Sequence, residues 1–405
     1  MSEQEVPQLR FKGFDEEWAL QSLGEVAQLN PGSPVPEIFE YVDLASVVGT
    51  DMVSHRTERR VTAPSRAQRV AQRGDIFYQT VRPYQKNNHL FNRNGATYVF
   101  STGYAQLRPM VDSRYLFAAI QRDEFLREIL DRCTGTSFPA IAPSQLKDIG
   151  TSFPISNDEQ QAVGRFFSKL DSLITGKQFH VDKLQQTKTA LLQRMFPQGD
   201  ADEPELRFEG FTSKWERRRL GDLGSTYGGL TGKTKAAFGH GEARYVTYMD
   251  VFQHPMILDT SRCGVVEIDP KQHEVKTGDA LFTVSSETPH EVGMAAVWLG
   301  TDSDVYLNSF CFGFRPQVDL DSFFFAYALR SVPTRQQFEL LAQGISRFNI
   351  SKNKAMDINI QLPDLPEQHA IGSFFTKLDS LISAKQLYIN KLQQVKSGLL
   401  QKMFI

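Results

Sequence analysis

The sequence predicts an α+β protein with two globular domains, related by an internal repeat and joined by two long helices that form an antiparallel coiled coil. Three observations support this prediction: a short head occurs twice, a long tail occurs twice, and the middles between them differ. We place the globular domains at residues 1–155 and 198–364, and the long helices at residues 156–197 and 365–405.

The repeated head is a short motif followed by a tryptophan. Residues 9–14 read Leu-Arg-Phe-Lys-Gly-Phe and return at residues 206–211 as Leu-Arg-Phe-Glu-Gly-Phe, and Trp18 returns as Trp215. Fainter matches follow, such as Gly74-Asp75 with Gly278-Asp279. Each half of the chain therefore begins in the same way.

The tails match almost throughout. Residues 164–196 align with residues 372–404 without a gap, and nearly two thirds of the positions are identical. Their apolar residues alternate in steps of four and three, which is the period of a coiled coil. We expect the two helices to pair through apolar residues of this seam: Phe167, Leu170, Ile174, Leu184 and Leu191 in the first, and Phe375, Leu378, Ile382, Leu392 and Leu399 in the second.

Lysines interrupt the seam at the same two levels in both tails, at Lys177 and Lys188 and at Lys385 and Lys396. We expect them to help set the register of the pair. An antiparallel pair would place one globular domain at each end of a rod of about 50 Å. The alternative is two separate amphipathic helices, each packed on its own domain.

The middles are mixed and rich in strands. Strands are predicted at residues 75–78, 96–100, 279–284 and 295–299, and short helices at residues 115–132 and 322–330. Because the tails match and the middles differ, we infer that the tails share one structural role while the middles perform two different tasks.

Composition limits the class of protein. No apolar run is long enough to span a membrane. The three cysteines, Cys133, Cys263 and Cys311, are far apart, which favours a reducing cytoplasm over a disulfide framework. The net charge is −2, but basic residues cluster at 56–93 and 214–244. Such clusters suit a face that meets phosphate, and the alternative is a set of solvated loops.

Motifs that suggest catalysis are incomplete. The glycine-rich stretch 228–234 has one residue too few for a phosphate-binding loop. Asp269-Pro270-Lys271 has a nuclease-like spacing that is common by chance, and the histidines form no metal-binding pair on a helix. We therefore expect no catalytic residue, no metal and no cofactor.

The architecture resembles that of the specificity subunits of type I restriction-modification systems. The resemblance lies in the head motif, in Gly135-Thr136-Ser137 with Ile141 and Glu159-Gln160, and in Gly344, Ser346-Arg347, Ile350 and Glu367-Gln368. It covers the whole chain except the variable middles. It implies a non-catalytic protein in which each middle reads one half of a bipartite site in double-stranded DNA. It also implies docking of two methyltransferase subunits, which methylate adenine, and of restriction/translocase subunits, which cleave.

Within that resemblance, basic and polar residues of the middles are the candidates for contact with DNA. Aromatic residues beside them, such as Tyr78, Tyr84, Tyr227 and Phe238, suggest stacking on bases. Arg347 is the strongest candidate, because a glycine turn precedes it and an arginine can fork onto guanine or clamp a phosphate. The predicted DNA-binding residues are Arg82, Lys86, Asn87, Thr136, Lys233, Lys235, Ser286, Arg347, Asn349 and Lys352.

Two alternatives belong to other classes. One is a fused DNA methyltransferase/endonuclease with unrecognised catalytic motifs, which binding of a methyl donor by the isolated chain would support. The other is a transcription regulator that dimerises through a coiled coil. Two different middles in one chain, rather than one reader per chain, argue against the regulator.

Overall fold

The computed structural model describes residues 6–135, 137–199 and 201–405. Contacts along the chain gather into two units. Unit 1 comprises Met1–Phe179 and Gln386–Ile405, and unit 2 comprises His180–Lys385. Each unit thus contains one middle together with parts of both tails. In the part of the chain that is described, no helix has the length and apolar character needed to cross a membrane.

Unit 1 is an α+β unit with short strands. The strands are β1 (Trp18–Ser22), β2 (Ala27–Leu29), β3 (Ile38–Val42), β4 (Val47–Val48), β5 (Asp51–Met52), β6 (Arg56–Arg59), β7 (Ala67–Val70), β8 (Ile76–Gln79), β9 (His89–Leu90), β10 (Tyr98–Ser101), β11 (Tyr104–Pro109) and β12 (Gly150–Pro154). The helices are α1 (Leu23–Val26), α2 (Ser113–Ala119), α3 (Asp123–Asp131), α4 (Pro143–Lys147) and the start of α5 (Asn157–Arg194).

The strands of unit 1 form two four-stranded sheets and two strand pairs. One sheet has the order β2-β11-β8-β9 and is antiparallel, and the other has the order β6-β3-β10-β7, with β3 and β10 parallel. The pairs are β1 with β12 and β4 with β5. Strand β8 is buried on both faces: Ile76 and Tyr78 lie with Leu107 in the core beneath α2 and α3, whereas Phe77 lies in a second apolar cluster.

Unit 2 also has short strands. They are β13 (Glu216–Arg219), β14 (Gly224–Gly228), β15 (Phe238–Val246), β16 (Met256–Ile257), β17 (Gly264–Val266), β18 (Ala280–Thr283), β19 (Ser285–Ser286), β20 (Ala295–Trp298), β21 (Val305–Leu307), β22 (Cys311–Pro316), β23 (Phe348–Asn349) and β24 (Asn359–Leu362). The helices are α6 (Leu220–Leu223), α7 (Tyr248–Gln253), α8 (Ser322–Arg330), α9 (Val332–Leu341), α10 (Lys352–Ala355) and α11 (Leu365–Lys402).

A five-stranded sheet with the order β14-β22-β18-β20-β16 forms the centre of unit 2. A three-stranded sheet, β17-β15-β21, and the pairs β13 with β24 and β19 with β23 complete it. The predicted strands of both middles are confirmed in β8, β10, β18 and β20. The helical segment predicted at residues 115–132 consists of α2 and α3, which separate between Ile120 and Arg122.

The Gly-Asp pair and an Arg-Pro pair that occur in both halves have a structural role in each unit. Asp75 is buried and accepts hydrogen bonds from Arg108 and Gln106, and in unit 2 the buried Asp279 accepts from Arg315 and Tyr227. Through these hydrogen bonds Asp75 raises the pKa of Arg108, and Asp279 raises the pKa of Arg315. These ion pairs tie the strand that carries the aspartate to its neighbour.

The head motif fastens the beginning of each long helix. Arg10 donates two hydrogen bonds to the buried Glu159, and Arg207 donates two to the buried Glu367. A two-pronged arginine–carboxylate contact fixes orientation as well as distance. This contact explains why the Leu-Arg-Phe motif and the Glu-Gln pair occur in both halves.

The glycine that opens each tail is required by a close approach. A β-carbon at Gly164 would lie 2.6 Å from the backbone nitrogen of Tyr115, and one at Gly372 would lie 2.6 Å from that of Phe324. Both distances are shorter than packed atoms tolerate. The first turns of α5 and α11 therefore lie directly against the starts of α2 and α8.

Each unit contains contacts between segments of the two long helices. In unit 1, Phe167 of α5 contacts the ring of Phe404, and Lys396 of α11 forms an ion pair with Asp171 at 2.6 Å. In unit 2, Lys188 of α5 forms an ion pair with Asp379 of α11 at 2.5 Å. Both helices have 38 residues, or about 57 Å at 1.5 Å per residue.

Candidate nucleic-acid interface

Each unit carries a strand that extends past its sheet and pairs with a returning segment. In unit 1 the chain continues from β8 to Val81, which pairs with Ala140. Ala140 also exchanges both backbone hydrogen bonds with Thr134. In unit 2, β19 pairs with β23, and Asn349 exchanges both backbone hydrogen bonds with Gln343. We call this pairing of an extended strand with a returning segment the loop frame of each unit.

A short turn that begins with proline follows the extended strand in both units. It is a single 3₁₀ turn, Pro83–Gln85 in unit 1 and Pro289–Glu291 in unit 2. Proline at the first position presets the backbone angle that such a turn needs. The turn and the returning segment together present side chains at the end of the sheet.

In unit 1 the frame brings Arg82 to the returning segment. Arg82 has a left-handed backbone with φ 55°, and its amide donates to the carbonyl of Pro139 at 2.7 Å. Its guanidinium lies 4.4 Å from the ring centre of Phe138, which is itself exposed. This stacking leaves the planar edge of the guanidinium able to donate hydrogen bonds.

The other candidates of unit 1 are held by neighbours. Lys86 has a left-handed backbone and forms an ion pair with Asp123, and the side chain of Asn87 accepts a hydrogen bond from Gly49. Both lie in the segment that follows the proline turn, so they fix its path. Thr136 lies outside the described residues.

In unit 2 the frame brings Ser286, Arg347 and Asn349 together. Arg347 is exposed and donates to the hydroxyl of Ser285 at 3.2 Å. Asn349 pairs with Ser285 across the two strands, and Ser286 pairs with Phe348. Lys352 is exposed at the start of α10, three residues further along the chain.

Beside this frame lies a cleft of about 720 Å³. Its lining includes Arg347, Ser286 and an acidic residue of the proline turn, Glu291. Glu291 accepts hydrogen bonds from Thr288 at 2.6 Å and from Ser286 at 2.9 Å. These bonds lower the pKa of Glu291, so the carboxylate is charged at neutral pH.

Sequence reasoning missed Glu291 because it favoured basic residues. One signal was present: Thr288-Pro289-His290-Glu291 occupies the same place after its strand as Arg82-Pro83-Tyr84-Gln85 does in unit 1. An alignment of the proline turns would have drawn attention to Glu291 and Gln85 together.

Neither Lys233 of the glycine-rich stretch nor the nearby Lys235 is among the residues that line the cleft. Lys233 forms an ion pair with Asp269 at 3.1 Å, and its side chain is only 15% exposed. Lys235 is exposed. Asp269, the acidic residue of the nuclease-like spacing, also accepts hydrogen bonds from Lys271 and Gln272.

The suggestion that Tyr78 and Tyr227 stack on bases is wrong. Tyr78 is 1% exposed and packs against Phe125, and Tyr227 is 8% exposed and donates to Asp279. Aromatic residues on central strands fill the core, because their large apolar area is more stable there. Tyr84, in contrast, is exposed at the proline turn.

The predicted helix-pairing residues are all buried or half-buried. Phe167, Phe375 and Ile382 are buried, and the others are half-buried: Leu170, Ile174, Leu184, Leu191, Leu378, Leu392 and Leu399. Of the lysines in the seam, Lys188, Lys385 and Lys396 are half-buried, whereas Lys177 is exposed.

Part of the sequence is similar to a family of DNA specificity domains. Residues 212–394 match the family described as the type I restriction modification DNA specificity domain. A curated type I restriction enzyme specificity subunit, MjaX, of Methanocaldococcus jannaschii is 27% identical over 199 residues. That alignment covers 47% of this chain and 45% of the relative, so it spans about half of the relative's length.

Two solved structures share the fold along nearly the whole chain. The type I restriction-modification system S subunit from M. genitalium has a TM-score of 0.59 at 16% identity and covers 99% of both chains. A chain from a structure of complex assembly and conformational transition in the type I R-M system has a TM-score of 0.57 at 21% identity. It covers 95% of this chain and 97% of that one.

These matches confirm the resemblance that the sequence suggested. Over residues 212–394 the chain is similar to type I restriction modification DNA specificity domains, and over about half of its length it is similar to a curated specificity subunit.

Proposed function

We propose that this chain reads a bipartite DNA site for a type I restriction-modification complex, one half-site per unit. The observation that carries the proposal is the loop frame. It has the same strand pairings and proline turn in the two units, but different side chains. Contacts to phosphate position a protein on DNA, whereas side chains at base edges choose the sequence. One plan with two sets of side chains suits two different half-sites.

We propose further that α5 and α11 form an antiparallel coiled coil and that the two units are copies of one module. In unit 1, Phe167 and Asp171 of α5 meet Phe404 and Lys396 respectively, so contacts advance along α5 as they retreat along α11. The Lys188–Asp379 pair of unit 2 joins the matching positions of the repeat. The lysines of the seam thereby select one register, since only that register gives both a carboxylate partner.

We assign the contacts with partner subunits to exposed apolar side chains of the long helices. Leu173 and Leu381 occupy matching positions in the repeat and are both exposed, as are Leu387 and Val395. Exposed apolar side chains on a long helix favour association with another protein. We propose that two methyltransferase subunits dock here, that restriction/translocase subunits join them, and that these partners carry out methylation and cleavage.

Reconstitution with the partner methyltransferase tests the proposed function. The full chain and its methyltransferase subunits should methylate one bipartite sequence, and a map of methylated adenines over genomic DNA would reveal it. Methylation without any shared sequence would contradict the proposal.

The fused-enzyme alternative predicts a different result. The isolated chain, supplied with a methyl donor and plasmid DNA, would then methylate or cut the plasmid without partners. We expect neither product, and robust turnover by the isolated chain would overturn the assignment as a binding subunit.

A further inference from the structure

The cleft of unit 2 has a charge that suits base edges better than phosphates. It is lined by two carboxylates, Glu287 and Glu291, and by one guanidinium, Arg347. Carboxylates beside an arginine repel a phosphate, because like charges at a few ångströms disfavour each other even near a protein surface. Base edges carry neutral donors and acceptors and pay no such penalty.

Glu291 presents a single acceptor to this cleft. Both of its hydrogen-bond donors, Ser286 and Thr288, donate to one oxygen, Oε2. Among the described residues, none donates to the other oxygen, Oε1. An ionised carboxylate accepts hydrogen bonds and cannot donate, so Oε1 selects a donor on its ligand.

In the major groove the donors are the exocyclic amines of cytosine and adenine. The amine of adenine lies beside the acceptor N7, which would face the negative carboxylate, whereas the amine of cytosine has no acceptor beside it on this edge. A lone carboxylate oxygen therefore favours cytosine.

Arg347 presents the complementary chemistry. It is exposed, and one nitrogen is oriented by the hydroxyl of Ser285, which leaves its other donors available. Two parallel donors on one plane match the O6 and N7 acceptors of guanine.

We propose that the cleft of unit 2 is a base-reading site in which Glu291 recognises the amine of a cytosine and Arg347 the acceptor edge of a guanine. The inference deepens the proposed function and rests on it, since it names the bases that unit 2 reads. Glu291 acts by exclusion as well as attraction, because thymine and guanine present acceptors where it needs a donor.

A half-buried arginine holds the acidic turn in place. Arg335 donates to the backbone carbonyls of Gly293 at 2.6 Å and His290 at 2.9 Å, on both sides of Val292, whose carbonyl it also contacts. Gly293 cannot be larger, since a β-carbon there would lie 2.3 Å from the ring of Phe338. A turn anchored in this way keeps Glu291 in one position, which discrimination between bases requires.

The test uses the full chain reconstituted with its methyltransferase subunits. Glu291→Gln keeps the size of the side chain and adds a donor, and Arg347→Ala removes the guanidinium. Glu339→Gln and Arg262→Ala are matched controls, because both residues are exposed in unit 2 and neither lines the cleft. Each complex is assayed on duplexes in which every position of the half-site is varied, at several salt concentrations.

We expect Glu291→Gln to relax one position, a cytosine in the wild-type site, so that thymine or guanine is accepted there. We expect Arg347→Ala to relax one guanine, with a loss of about 5- to 150-fold in discrimination, which corresponds to 1–3 kcal/mol per base contact. The salt dependence of binding should not change in either variant, since no phosphate contact is lost.

Three results would overturn the inference. Unchanged base preference in both variants would show that the cleft reads no base. Relaxation at a wild-type thymine or guanine in Glu291→Gln would contradict the acceptor assignment. A uniform loss of affinity in Arg347→Ala, with the salt slope reduced by about one, would show a phosphate contact. If the wild-type complex recognised no bipartite sequence, the proposed function itself would fail instead.

Discussion

The proline turns of the two units are both single 3₁₀ turns, but the residues around them carry opposite charges. In unit 1, Arg82 precedes the turn and stacks on Phe138 of the returning segment. In unit 2, the arginine is Arg347 on the returning segment, and the turn carries the carboxylate of Glu291 instead. The positively charged residue thus precedes the turn in unit 1 and lies on the returning segment in unit 2. One set of strand pairings and turns can therefore offer a different pattern of donors and acceptors without a change in fold.

The first prediction tests whether the two frames act independently and has the largest expected effect. Replacing residues 24–150 with the matching segment of a relative should change one half of the recognised sequence completely and leave the other unchanged. The loop frame of unit 1 lies within that segment, whereas the loop frame of unit 2 lies outside it. Methylation mapping of the exchanged complex is the measurement. Alteration of both half-sites would show that reading is not modular.

The second prediction tests whether the two long helices are interchangeable. The last turns of α11 place Leu399, Leu400, Met403 and Phe404 in the core of unit 1, and Lys396 on Asp171. The matching residues at the end of α5 are Lys188, Leu191, Leu192, Met195 and Phe196, which are of identical type. A fragment of residues 1–197 should therefore dimerise, because α5 of a second copy can replace α11.

Light scattering on that fragment measures its mass. Phe196→Asp is the control, since a charge cannot enter the apolar site that Phe404 occupies. With the methyltransferase partner, the dimer should recognise the first half-site and its inverted copy. A monomer would contradict the interchange, and methylation of a direct repeat would contradict the antiparallel pairing.

The sequence predicted the parts of this fold that repeat, and the reason is physical. The heptad steps of the tails, Arg10 and Arg207 of the heads, and the strands of the middles all follow from periodicity or duplication. The proposed base-reading site was only partly predictable. Arg82 stood out by its basic surroundings and Arg347 by the glycine turn that precedes it. The position of Glu291 depends on hydrogen bonds with Ser286 and Thr288 and on a turn anchored by Arg335.

Aromatic residues show the same limit. Tyr78 and Tyr227 lie near basic residues in sequence, yet the strand directs their rings into the core. Neighbours along a strand point to opposite faces, so proximity in sequence does not place two side chains on one surface. Only the fold shows which face is exposed.

The third prediction compares the two ion pairs that join the long helices. Burial raises the pKa of Asp171, and Lys396 opposes that rise. Lys396→Met should lower the free energy of unfolding by about 1–3 kcal/mol near pH 7, since it leaves a largely buried carboxylate without its cation. This loss of stability is smaller than the loss expected for a fully buried ion pair, because the side chains of Lys396 and Asp171 are 14% and 21% exposed.

The pH dependence gives the sign of this effect. An acid whose folded pKa is raised stabilises the fold when neutral, and that contribution is lost as pH rises through the folded pKa. The defect of Lys396→Met should therefore be greatest at neutral pH and shrink as pH falls toward the unfolded pKa of about 4. Thermal unfolding at both pH values measures it. The double variant with Asp171→Asn should recover most of the loss, and a defect independent of pH would contradict this account.

The fourth prediction concerns the matching pair of unit 2, where the expected effect is smaller. Asp379 accepts a hydrogen bond from Lys188 and a second one, at 2.7 Å, from the hydroxyl of Tyr327. In unit 1 the position that matches Tyr327 is Ala118, which has no donor to offer Asp171. Lys188→Met therefore leaves Asp379 with one donor, and we expect a loss of about 0.5–1.5 kcal/mol.

Adding Tyr327→Phe to Lys188→Met removes that remaining donor. The double variant should then lose as much stability as Lys396→Met does in unit 1, because both aspartates would be without a partner of this kind. Lys377→Met, on the exposed side of α11, is the matched control and should unfold like the wild type. Equal losses in Lys188→Met with and without Tyr327→Phe would show that the tyrosine does not compensate, and that the two ion pairs differ for another reason.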